Sequence, residues 1–64
     1  MKIKDLFELV DGLPNYINVI TDKEDHLYIG AYSKAPEEIK ELKFTKAILN
    51  YDSWVIVDQI LFYI

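Results

Sequence analysis

The fold class this sequence predicts is α+β: a single four-stranded antiparallel sheet carrying an N-terminal helix and a short second helix, in the order α-β-β-α-β-β. Three observations carry that expectation. Residues 3–11 repeat apolar side chains at helical spacing. "NYINVIT", "LYIGAY" and the closing "SWVIVDQILFYI" are dense in β-branched and aromatic residues, and short polar clusters separate these runs. With 64 residues and no internal repeat, low-complexity tract or linker, residues 1–64 read as one small domain.

The elements follow in order. Ile3, Leu6, Phe7 and Val10 fall at i, i+3, i+4 and i+7, and Lys4, Asp5, Glu8 and Asp11 take the other side, so residues 3–11 form an amphipathic helix. Gly12 offers a left-handed stop and Pro14 forbids continuation, whereas Lys2 stands where an oxygen-bearing cap belongs. Asn15–Thr21 and Leu27–Tyr32 make a hairpin around the polar "DKEDH" loop. Along the second strand Leu27, Ile29 and Ala31 share one face and Tyr28, Gly30 and Tyr32 the other, with Gly30 marking a bulge or a close backbone approach. In "SKAPEEIKEL" a proline, two acids and the Ile39/Leu42 pair predict one to two turns of helix. "KFTKAILNY" leads into a tight turn at "NYDS", residues 50–53, and the last segment closes a second hairpin. That segment sets Trp54, Ile56, Ile60, Phe62 and Ile64 against Val55, Val57, Leu61 and Tyr63; as one strand it is long for so small a sheet, which predicts a break near Asp58-Gln59.

Composition adds a constraint. A chain this short buries only about 60% of its unfolded surface and usually leans on disulfides, metals or association. There is no cysteine, so disulfides and thiolate metal sites are excluded, yet 52% of the residues are hydrophobic and nine are aromatic. One nine-residue helix and one short one cover a single sheet face. The other face, holding several of Tyr16, Tyr28, Tyr32 and Tyr63 and the odd-numbered valines, is left without cover, which predicts a homo-oligomer, a symmetric dimer in the simplest case.

Charge and motif content narrow the function. Eleven acids stand against seven lysines, for a net charge of −4, and there is no arginine, which argues against sequence-specific DNA recognition. The charges in "MKIKDLFELV" break up any secretory or lipidation signal, and no apolar run approaches the roughly 20 residues of a membrane span, so a cytoplasmic protein is expected. His26 is the sole histidine; the run Asp22-Lys23-Glu24-Asp25-His26 has neither a second zinc ligand nor the glycine of a calcium loop, so neither metal nor cofactor is expected. Ser33 and Ser53 sit at turns, two glycines cannot build a phosphate-cradling loop, and no triad spacing is visible, so no enzyme is expected. Lys34, Lys40, Lys43 and Lys46 cluster in sequence, but Glu37, Glu38 and Glu41 interleave with them and the bland reading is a solvated face. Surplus aromatic residues instead suggest a contact surface: Tyr28, Tyr32, Trp54 and Tyr63, rimmed by Asp22, Glu24 and Asp25.

The opening "KIKDLFELVDGL", the later "LYIG" and "PEEIKEL", and the ending "FYI" resemble a loose group of very short proteins from phages and mobile elements of low-GC Gram-positive bacteria. Some small acidic phage proteins of this build are counter-defence factors, anti-CRISPR proteins among them. The resemblance implies a non-catalytic inhibitor that binds a host protein, and it carries over no functional residues. Two further readings stay open: an oligomer that sequesters a small nucleotide between tyrosines and lysines, and a weak single-strand nucleic-acid binder using Lys34–Lys46.

Overall fold

The computed structural model describes residues 1–51 and 58–64. Helix α1 spans Ile3–Leu9, strand β1 Tyr16–Ile20, strand β2 His26–Ala31, helix α2 Glu37–Lys40, strand β3 Lys46–Tyr51 and strand β4 Asp58–Tyr63, with a 3-10 turn at Tyr32–Lys34. The α+β class, the two helices and the four strands hold.

The ends of α1 show how local chemistry trims a periodic pattern. Lys2 carries no acceptor, and the first turn is closed instead by Asp5, whose carboxylate accepts the Lys2 backbone N–H at 3.0 Å. At the other end Val10 is already extended and its N–H closes on the Leu6 carbonyl at 3.0 Å, so the helix stops two residues before the sequence pattern does. Gly12 takes the left-handed conformation expected of it, at φ 81°, in the turn beyond. Pro36 caps α2 rather than opening it, and Glu37 and Glu38 occupy the first turn, where the helix dipole favours acids.

The sheet order is β2-β1-β4-β3, and this corrects the antiparallel arrangement the sequence suggests. Both hairpins are antiparallel, but the central pair, β1 and β4, runs parallel in the register Ile17↔Ile60 and Val19↔Phe62. The cause lies in the connection from β2 to β3. Ile39, Leu42 and Phe44 all pack on the core beside α1, so residues 32–45 must cross the face that α1 already covers. The chain therefore enters β3 at the far edge, running the same way as β2, and the second hairpin delivers β4 to the centre alongside β1.

Ile3, Ile17, Val19, Ile60 and Phe62 form the core, each no more than 2% exposed. Aromatic rings bind the layers together: Tyr32 stacks on Phe7 at 3.8 Å, Phe7 lies 6.3 Å from Phe62, and Phe44 meets Phe62 edge-on at 5.0 Å. The start of α1 is tied to the crossover by the Ile3 N–H donating to the Leu42 carbonyl at 2.9 Å and by an isolated bridge between Lys2 and Lys43. Over the same junction Lys2 Nζ reaches Glu41 at 2.6 Å and Lys4 pairs with the other carboxylate oxygen.

Gly30 marks a close approach. A side chain there would meet the Tyr28 hydroxyl at 3.1 Å, and its φ of 154° disfavours other residues. The Tyr28 ring folds over the glycine and its hydroxyl donates to the Ala31 carbonyl at 2.7 Å. The bulge itself lies elsewhere, between Val19 and Ile20 opposite His26–Tyr28. Asn50 and Tyr51, read from sequence as the start of a turn, continue β3 and pair with Gln59 and Asp58. The remainder of that turn, and Trp54, Val55, Ile56 and Val57, lie outside the described residues.

Candidate functional site: the open face of the sheet

Alternation along each strand sends every second side chain away from the helices, and the pairing registers arrange those side chains in three rows. One row holds His26, Ile20, Tyr63 and Lys46; the middle row Ile29, Asn18, Leu61 and Ile48; the last Ala31, Tyr16, Gln59 and Asn50. The middle row is apolar apart from Asn18, and its ends are open: Ile29 is 50% exposed and Ile48 40%, with Tyr16 at 38% beside them. None of these twelve positions is an acid. Neither α1 nor α2 reaches this side, because both pack on the opposite face.

Polar groups on the open face are tied to one another. His26 Nδ1 shares a 2.7 Å hydrogen bond with the Asn18 side-chain oxygen. The Lys46 ammonium lies 4.7 Å above the Tyr63 ring. At the end of the sheet where His26 and Lys46 lie, the β1–β2 loop projects Asp22, Glu24 and Asp25, all exposed, with Lys23 among them. Thr21 holds this loop: its N–H donates to the Asp25 carbonyl at 2.9 Å, its carbonyl accepts from the Glu24 N–H at 3.0 Å, and its hydroxyl oxygen accepts from the Asp25 N–H at 3.1 Å. The closure forces Glu24 to φ 65°, a left-handed conformation for a residue with a side chain. Across the top of the face, then, an acidic corner at the β1–β2 loop stands opposite a basic corner at Lys46.

The contact residues anticipated from sequence separate on the two sides of the sheet. Tyr63 lies on the open face, half-buried under Lys46. Asp22, Glu24 and Asp25 rim it at one corner. Tyr28 and Tyr32 lie on the helix side, packed against the core. Burial there pushes the Tyr32 hydroxyl pKa up, with Glu8 and Glu37 adding to the shift. Trp54 is outside the described residues. The open face also holds Ile29, Ile48 and Leu61, which the sequence does not single out as contact candidates. Their signal was the alternation Lys46, Ile48, Asn50 along β3, which assigns Ile48 to the polar side of that strand.

The four clustered lysines do not form one track. Lys40 lies 5.0 Å from the Tyr32 ring on the helix side, while Lys46 faces out over Tyr63. Among the described residues no group of three or more His, Cys, Asp or Glu side chains comes together as a metal site, and no helix is long and apolar enough to cross a membrane. Compared with protein-family models, with curated proteins and with solved structures, the chain matches none.

Proposed function

We propose that this chain is a non-catalytic interaction protein that works by offering the open face of its sheet to another macromolecule. The observation that supports the reading is the contrast in cover. On the helix side Ile17, Val19, Ile60 and Phe62 are no more than 2% exposed and Leu49, on the edge strand, reaches 41%, whereas on the open face Ile29, Ile48 and Tyr16 keep between 38% and 50% of their surface in water and Ile20, on a central strand, 9%. A row of Ile29, Leu61 and Ile48 interrupted by Asn18, flanked by amides and tyrosines and with charge only at its corners, approaches the apolar-centre, polar-rim pattern of a protein contact. The side chains on this face are poor candidates for chemistry: its one imidazole is engaged with an amide, and no carboxylate faces it from the strands. The resemblance to phage and mobile-element proteins adds a partner class, a protein of the bacterial host, and makes counter-defence the role we propose for that contact.

An affinity-tagged copy incubated in a bacterial lysate supplemented with untagged chain reads any occupant, whether host protein or self. The expected result is that protein retained by the wild type is lost with Ile29→Lys/Ile48→Lys and kept with Glu8→Lys on the outer side of α1. Equal retention by all three proteins contradicts the reading.

A further inference from the structure

We infer that the occupant of the open face is a second copy of this chain, docked face to face about a two-fold axis running along the strands. The inference rests on the proposed binding role of that face and names its partner.

Symmetry and charge together select this arrangement. The sheet order is β2-β1-β4-β3, so a two-fold parallel to the strands lays β3 of the second copy over β2 and β4 over β1, with each row kept at its own level. In the middle row Ile48 of the second copy then meets Ile29, and the reciprocal contact repeats it, so the two most exposed apolar side chains of that row cover each other. Asn18 comes to lie under Leu61 of the second copy, where its side-chain oxygen keeps its bond to His26 and is not left unpaired. At the top, Lys46 of the second copy settles beside His26 and the Asp22–Asp25 loop, and the acidic and basic corners meet twice, once on each side of the axis. The other face-to-face two-fold, perpendicular to the strands, lacks this match. It sets the acidic loop over the Ala31 end of β2, where none of the three open-face positions in the last row next to it is a cation.

Size sets the strength. Four strands about 4.8 Å apart and about 17 Å long present roughly 300 Å² of flat area. Two copies therefore remove somewhat more than roughly 600 Å² in all, below the ~1,000 Å² typical of durable complexes. The dimer is accordingly expected to be a weak one, its sheets stacked about 10 Å apart as in a β-sandwich.

Sedimentation equilibrium between about 1 μM and 1 mM tests this, with circular dichroism confirming that each variant stays folded. The wild type is expected to shift from 7.5 kDa toward twice that mass as concentration rises. Ile29→Lys is expected to remain at 7.5 kDa throughout. Lys46→Glu sets like charges together at both corners and is expected to weaken association about tenfold. Adding Asp25→Lys to Lys46→Glu restores attraction and is expected to recover most of the loss. A wild type that stays monomeric to 1 mM overturns the second copy as occupant, while the capture experiment decides separately whether the face binds anything. A dimer indifferent to Ile29→Lys overturns the face-to-face contact. A dimer broken by Ile29→Lys but not rescued by the charge exchange overturns the strand-parallel axis.

Discussion

The two faces of this sheet are built from the same strands and both carry large aliphatic side chains, and they meet different fates. Facing the helices, Ile17, Val19, Ile60 and Phe62 disappear from solvent under α1 and the crossover. Facing away, Ile29, Ile48 and Leu61 form a row, interrupted by Asn18, that no helix among the described residues covers. Hydrophobicity alone therefore does not distinguish a core from a contact surface in so small a domain. Cover does, and two short helices can cover only one side. Substitutions on the first face should be read in stability and on the second in association, and that division is where the account can be broken.

The largest expected effect is on the covered face. Phe62 is fully buried, pairs with Val19 and Ala47, and touches the rings of Phe7 and Phe44. Phe62→Ala should cost about 3–5 kcal/mol, enough to leave so small a domain largely unfolded in water. Urea denaturation followed by circular dichroism checks it. Ile29→Lys on the open face should move the same unfolding midpoint by less than about 0.5 kcal/mol while removing association, and a large stability loss there would blur the division. Next comes Gly30, where a Cβ meets the Tyr28 hydroxyl on a backbone that disfavours it. Gly30→Ala should destabilise by about 1–3 kcal/mol, and by less in a Tyr28→Ala background, because the steric part is then removed.

Two smaller effects lie at the margins of the two faces. Glu24 holds a left-handed conformation in the loop that rims the open face, so Glu24→Gly should stabilise by about 0.5–1 kcal/mol, as a higher thermal midpoint would report. On the helix side, hydrogen bonds from Lys2 and then Lys4 lower the Glu41 pKa from 4.5 to about 2. A depressed folded-state pKa means the contribution is fully present above the ordinary carboxylate value and is lost as pH falls from 4.5 toward about 2. Acid titration of stability should be shallower across that window in Glu41→Gln. The pair is solvent-exposed, so the difference is expected to be the smallest of the set.

How much of this was written in the sequence depends on the range over which each feature is encoded. The 3.6 period of Ile3, Leu6 and Phe7, the polar "DKEDH" loop and the acids after Pro36 are local signals, and each element formed where they stand. The parallel pairing of β1 with β4 had no local signal. Strands some forty residues apart were joined in that sense because Ile39, Leu42 and Phe44 drew the crossover onto the helix face, a consequence of packing rather than of pattern. The uncovered face was legible as a surplus of apolar residues, but its membership was not. On β2 the alternation separated Tyr28 from Ile29, yet it could not say which side faced inward. Tyr28 turned in because its ring lies over Gly30 and its hydroxyl finds the Ala31 carbonyl, and that turned Ile29 out. Tyr32 turned in by stacking on Phe7. A tyrosine with its hydroxyl satisfied is as good a core residue as an isoleucine, so the tyrosines divide between the open face, which holds Tyr16 and Tyr63, and the helix side, which holds Tyr28 and Tyr32.

The claim that the open face is the working contact is tested most directly by a dilution series of two-dimensional amide NMR spectra. Concentration-dependent shifts and broadening are expected to gather on Tyr16, Asn18, Ile29, Ile48 and Leu61 and to leave α1 unmoved. Spectra that do not change with concentration or with added host lysate protein, or changes that fall on the exposed Leu9 and Val10 instead, would contradict the account.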